Sequence, residues 1–414
     1  MSLFKKKKEK LELEVSEQHV GLRITLAVGF LMLGLGALGF FLIQLLSEDP
    51  GWQTIEFSNK SLMSENEIVL NYDLGRGELS ATDEKRELQT VYGTALSRAY
   101  KLFDARVAHE GVVNVYYINK HPGEVLTVDP DLYAAFALLD AHGDRSVYLA
   151  PVQAQYRNLF SCTDDVTAAL QDPHKNEETR ALMAEMAAFA NDPSAVRVEL
   201  LGSNQLRLTI SEAYLAYAAE AELDTFVDFA WLTNAFVVDT VADELTFKGY
   251  TRGYLSSYDG YTRYLDGPDN AYTVRILDRV GTEVFSAATA NCEGIRSLVQ
   301  LRDYPLAEIG LADFYGYADG HHASRYVGSD GLYRTALRDL TAYSSEQSCA
   351  EVALTLSPIF IADTLDETKL TAMTEKGIFS IWCRDRVIRY TAEELTLNDL
   401  YEHETIRYTP MTRP

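Results

Sequence analysis

The stretch Phe226–Asp239, FVDFAWLTNAFVVD, reads as a strand ending in the carboxylate of Asp228, then a helix whose first turn faces a ligand. His321 and His322 follow Asp319-Gly320. An imidazole titrates near neutrality, so a histidine there suits proton removal from a hydroxyl. The same Gly- and Asp-flanked stretch reads equally as a solvated loop. Tyr250, Tyr254, Tyr258, Tyr261, Tyr264 and Tyr272 recur at mostly three- or four-residue spacing. On strands that spacing favours no single face. It serves either a sticky surface for a protein or glycan or ordinary sheet propensity. Cys162, Cys292, Cys349 and Cys383 form no C-x-x-C pair, so buried free thiols are expected rather than a zinc site. No Walker A loop, nucleophile elbow, H-E-x-x-H or EF-hand pattern occurs.

The elements that must position these groups change character along the chain. Residues 47–80 read as a linker with an edge strand at Glu67–Tyr72. Thr82 offers an N-cap to a helix carrying Leu88, Val91, Tyr92, Ala95, Ala99 and Leu102 on one face. Val112–Ile118 reads as a strand. Asp129-Pro130 opens a helix stopped by Gly143, and Asn176–Ala190 is another. Val196–Leu201 and Leu206–Ile210 make a hairpin, Ser211 caps a short helix to Leu223, and Trp231–Phe247 is a long helix ended by Gly249. Strands then dominate, at Tyr250–Ser256, Tyr261–Leu265, Tyr272–Leu277 and Thr282–Ala287. Ala350–Phe360 is expected as a strand or loop, followed by a helix Asp366–Lys376 and a strand Ile378–Cys383. Helices early and strands late predict an α+β class.

The chain has 414 residues, 47% hydrophobic and 24% charged, with net charge −24. That is a folded composition, and its acidity argues against nucleic acid as a partner. A phosphate-bearing ligand would need a local cation or metal. Ile24–Leu46 supplies 23 residues without formal charge, enough to cross a bilayer core of roughly 30 Å as a helix. Lys5–Lys8, Lys10 and Arg23 precede it, which predicts a signal anchor with residues 1–23 in the cytoplasm and the main domain extracytoplasmic. The expected division is a basic tail 1–23, a membrane span 24–46, a linker 47–80, one domain 81–400 and a tail 401–414.

Phe226–Asp239 resembles the V-D-L-G-A-I-A-K-G-Y-A-V-D motif of the ApbE family, the FAD:protein FMN transferases. Ile118-Asn119 with Val128–Leu132 is similar to the family's L-N … V-S-P-E-L stretch, and Val241–Gly249 to its A-E-x-L-K-x-x-G. Leu255–Leu265 stands at the Gly-Gly-Asp turn, His321 at the histidine of H-I-I-D-P-x-T-G, seven residues before Gly328, and Ala350–Thr355 at A-D-A-L-A-T. The resemblance covers roughly residues 85–395. It implies a T-fold-related α+β flavin transferase domain, here behind one N-terminal transmembrane helix. It also implies FAD and Mg²⁺ as cofactors and a threonine on another extracytoplasmic protein as FMN acceptor. Under that reading His321 is the base, Glu351 and Thr355 hold the metal, and Asp228, Asn234 and Asp259 lie at the flavin.

The departures are specific. Asn234 stands for lysine, Ala230 and Ala235 for glycines, Tyr258 for a turn glycine, Ser324-Arg325 for Asp-Pro, and Glu351 for the metal aspartate. Tyr258 is expected to obstruct ligand approach, with Asp259-Gly260 serving as a plain hairpin turn. Together the changes predict weakened or lost transfer. A fully active transferase and a non-catalytic flavin- or protein-binding module are the alternatives.

Overall fold

The computed structural model describes Thr25, Val28 and residues 48–56, 68–306, 308–393, 395–403 and 406–411. The basic tail and, apart from Thr25 and Val28, the expected membrane span lie outside them. Among the described residues no helix is long and apolar enough to cross a membrane.

A nine-stranded sheet organises the domain. Its strands are β1 (Gly51–Ile55), β2 (Ile68–Leu74), β3 (Gly253–Ser257), β4 (Tyr261–Tyr264), β5 (Ser297–Arg302), β6 (Asp339–Ser344), β7 (Ile378–Arg384), β8 (Val387–Tyr390) and β9 (Thr409–Pro410). They lie side by side in chain order. Every neighbouring pair is antiparallel except β8 with β9. The sheet is thus a meander whose connections carry the rest of the fold. Between β2 and β3 come the helices, including α1 (Ala81–Phe103) and α2 (Thr233–Phe247), and between β6 and β7 comes α3 (Cys349–Phe360). These three helices cover one face of the sheet. The other face packs a small three-stranded sheet of Ala271–Val280, Glu283–Glu293 and Thr396–Asn398, with Tyr264, Val274, Ile276 and Ile381 in between. Covered on both sides, β6 is buried along its whole length. The mixed class is as expected; the early helices are a long insertion after the second strand.

Several local readings are corrected. Glu67–Tyr72 is a strand at Ile68–Leu74, but β1 is the sheet edge and β2 is second. Thr409–Pro410, in the expected C-terminal tail, pairs with Val387–Ile388, and Tyr408 beside it is buried. Val112–Ile118 is not a strand: Asn114 caps a helix Val115–Lys120 by accepting from the Tyr117 N–H at 2.9 Å. Ala350–Phe360 is also helical. Ser348 and Glu351 close a reciprocal capping box, which fixes the helix start.

Phe226–Asp228 is extended but pairs with no strand. Its backbone is satisfied by a side chain instead. Asn119 accepts from the Phe226 and Val227 N–H groups at 2.9 Å and donates to the Val227 carbonyl at 2.8 Å. The Asp228 N–H donates to the Val147 carbonyl at 2.9 Å. A buried asparagine thereby does the work of a neighbouring strand.

Candidate functional site

The first turn of α2 presents Asn234, and the β3–β4 hairpin turn presents Tyr258 and Asp259 beside it. Gly260 completes that turn at φ +103°, where a Cβ would collide with the Gln300 carbonyl, so only glycine fits. Asn234 lies against the Asp259 carboxyl, and its Oδ1 accepts from the Tyr100 hydroxyl at 3.0 Å. Asp259 is buried, with Oδ2 3.3 Å from the Arg325 guanidinium. Arg325, only 7% exposed, pairs also with Asp313 at 2.9 Å. The Tyr258 hydroxyl donates to the same Asp313 carboxylate at 2.8 Å. Burial pushes the Asp259 carboxyl up, opposed first by Arg325.

The space left between these groups is small. Tyr258, Asp259, Arg302, Tyr304, Arg325 and Tyr326 line a cavity of about 20 Å³. Asp259 Oδ1, Arg302 Nε and Arg325 Nε are buried there without a hydrogen-bond partner among the described residues, although Asp339 Oδ2 pairs with Arg302 Nε at 3.5 Å. A volume of that size suits one water, whereas small-molecule pockets run from ~300 Å³ upward. FAD does not fit between these side chains as they stand. A larger groove of about 830 Å³ runs along α1, past Thr90, Gly93, Ser97, Arg98, Lys101 and Val113; Asp129 of the family-like stretch Val128–Leu132 lines it, but none of Asp228, Asn234, Asp259, His321, Glu351 and Thr355 does.

Asp228 anchors the entry to α2 from the other side. Its Oδ1 accepts from the Ala230 N–H at 2.9 Å, and its Oδ2 lies 3.2 Å from Arg157. Ala230 follows at φ +49°, a left-handed conformation that strains any residue with a Cβ. The turn thus keeps a glycine-like backbone without the glycine. Ala230→Gly is expected to stabilise the fold by ~1 kcal/mol, read as a raised urea midpoint. An unchanged or lowered midpoint would mean that the surroundings already relieve the strain.

Both proposed metal ligands make bonds within α3. Glu351 accepts from the Ser348 N–H at 2.8 Å in the capping box, and the Thr355 hydroxyl donates to the Glu351 carbonyl at 2.8 Å. Each keeps acceptor lone pairs, but no cluster of three or more metal-type ligands occurs among the described residues. Two oxygen groups are short of the six that octahedral Mg²⁺ takes, so water and substrate phosphates would have to supply the rest. The N-terminus of α3 is instead closed by Asp239, which accepts from the Cys349 and Ala350 N–H groups at 3.0 and 2.8 Å. Of the residues read from sequence, Asn234 and Asp259 meet; Asp228 binds its own turn, and Glu351 and Thr355 serve α3. His321 sits at the far end of the short strand His322–Ser324 from Arg325, with the Tyr333 hydroxyl 2.7 Å from its Nε2. The four cysteines are free thiols, three of them buried. Arg325 and Asp313, which close the site, gave no local signal: the Arg325–Asp259 contact spans 66 residues of chain.

No family model and no curated protein matches the sequence. Solved structures do match. The ApbE protein of Thermotoga maritima superposes with a TM-score of 0.55 at 12% identity, covering 84% of this chain and 97% of its own. A histidine-to-glycine mutant of the flavin transferase ApbE from Vibrio cholerae gives 0.50 at 13% identity, covering 84% and 97%. At such identity the likeness speaks for the backbone, and it runs through nearly the whole of both relatives. This chain has the fold of the ApbE flavin transferases.

Proposed function

We propose that the chain is a divergent member of the ApbE family in which FAD:protein FMN transfer to an acceptor threonine is weakened or lost. In this reading residues 24–46 anchor it in the cell membrane, and the domain works on the extracytoplasmic side with another protein as partner. The observation that carries the reading is the Asp259–Arg325–Asp313 cluster, which packs beside Asn234 and around Asp259, two of the three residues that the resemblance assigns to the flavin. The bonds that Glu351 and Thr355 make within α3 support it, because a transferring phosphoryl group depends on a cation held in place. Losing one such positioning group typically costs ~10²–10³-fold in rate.

The test incubates the full-length chain in detergent with FAD, Mg²⁺ and a flavin-acceptor domain, then reads covalent yellow fluorescence on a denaturing gel. Labelling at least ~10²-fold slower than by an active transferase, or none, is expected. Labelling at a comparable rate, abolished by Glu351→Ala, would overturn the reading.

A further inference from the structure

The histidine pair leads to a second cluster, outside the closed cavity. His321 is exposed, and its backbone is fixed at both ends: the N–H donates to Asp319 Oδ1 at 2.9 Å and the carbonyl accepts from the Tyr317 N–H at 2.8 Å. Its Nε2 lies 2.7 Å from the Tyr333 hydroxyl. Behind Tyr333 is Asp172, wholly buried. Asp172 Oδ2 accepts from the hydroxyls of Tyr317 at 2.7 Å and Tyr333 at 3.2 Å. Its Oδ1 accepts from the His174 N–H at 2.8 Å.

The proton inventory leaves two arrangements. A carboxylate only accepts, and each phenol has a single proton to give. If Tyr333 gives its proton to Asp172, its oxygen accepts from the ring and Nε2 carries the hydrogen; if it gives that proton to the ring, Nδ1 carries the hydrogen. The buried Asp172 carboxylate favours the first arrangement, which leaves Nδ1 as a bare lone pair with no partner among the described residues.

We propose that Tyr333 and Asp172 are positioning residues that hold His321 in its Nε2–H tautomer with Nδ1 facing outward as a base for a hydroxyl of a docked protein. The arrangement repeats the logic of a base oriented by a third group, with a tyrosine interposed between imidazole and carboxylate. As the hydroxyl oxygen forms its bond to the FMN phosphorus of FAD and AMP leaves, the hydroxyl proton passes to Nδ1 while Nε2–H stays on the ring, and the new positive charge faces the Tyr333 oxygen and, through it, Asp172. The identity of that hydroxyl rests on the acceptor-threonine reading above; the tautomer does not. The base half of the site is therefore preserved where the flavin half is closed.

The experiment is ¹⁵N-histidine spectroscopy of the full-length chain in detergent, with His321→Asn to assign the resonance. An exposed imidazole N–H exchanges too quickly to be seen unless a hydrogen bond holds it. The expected result is an observable proton on His321 Nε2 and none on Nδ1, with that signal lost in Tyr333→Phe while the other histidines stay in place. A proton on Nδ1, no observable Nε2–H, or a signal that survives Tyr333→Phe would overturn the proposal. The wild-type spectrum alone decides the tautomer, so a variant that failed to fold would not rescue the idea. Because no flavin turnover is read, this result stands or falls separately from the gel assay.

Discussion

Arg325→Ala is expected to cost the fold about 3–5 kcal/mol, the usual penalty for leaving buried charge without its partner. Asp259 and Asp313 both depend on this guanidinium, and Asp259 is buried. A loss below about 1 kcal/mol in urea unfolding would show that Arg325 does not hold the cavity shut. The sharper form is a double variant. Asn234 already lies against Asp259, so Asn234→Lys brings a cation to the same carboxylate from the helix side. Asn234→Lys with Arg325→Ala is expected to recover much of the lost stability while vacating the Arg325 volume. Flavin binding, read by quenching of FAD fluorescence, should then appear in the double variant and not in the native chain. Recovery without binding would leave Tyr258, pinned to Asp313, as the remaining obstruction.

Helix ends and hairpins were legible because their signals are local. Asp129-Pro130 with Gly143 marks a helix found at Pro130–His142 with Asp129 as its cap. Gly202-Ser203-Asn204 marks a turn whose residues take positive φ. The misreadings came where a side chain overrode strand propensity: Asn114 turned Val115–Lys120 into a helix, and Ser348 with Glu351 did the same for Cys349–Phe360. The capping box was readable in principle, as Ser-x-x-Glu before an apolar run. The site was harder. Asn234 and Asp259 could be paired through the family resemblance, but Arg325 reaches them from just past the strand His322–Ser324, and Asp172 meets His321 only through Tyr333. Long-range contacts of that kind leave no mark on nearby residues.

Stability is expected to fall as pH rises from about 5 to about 8, because the folded domain holds protons on buried aspartates that the unfolded chain has released. Burial, against the opposing pull of Arg302, lifts Asp339 to about 7. Burial likewise lifts Asp239 to about 6 against Arg263, and Asp303 to about 6 against Arg338 and Arg279. Unfolded aspartates titrate near 3.9. Between that value and 6 to 7 the native state binds more protons, so the free energy of unfolding decreases with increasing pH and levels off above the highest folded value. Exposed carboxylates act in the opposite sense. Hydrogen bonds from Arg207 and Lys120 hold Glu199 and Asp224 low, and their contribution vanishes only as pH drops below the ordinary carboxylate range. The two trends place the stability maximum near pH 4–5, below the neutral optimum common among folded proteins. The loss on going to pH 8 should be on the order of several kcal/mol, since each tenfold gain in a carboxyl's proton affinity on folding is worth about 1.4 kcal/mol. Urea midpoints followed by tryptophan fluorescence across that range would measure it, and a midpoint that rises toward pH 8 would refute the assignment. Asp339→Asn separates the contributions. It removes the titrating proton and keeps one acceptor oxygen, for one of the Tyr304 and Thr341 hydroxyls that now donate to separate carboxylate oxygens of Asp339. The slope should therefore flatten between pH 5 and 7, with Asp239 and Asp303 accounting for what remains.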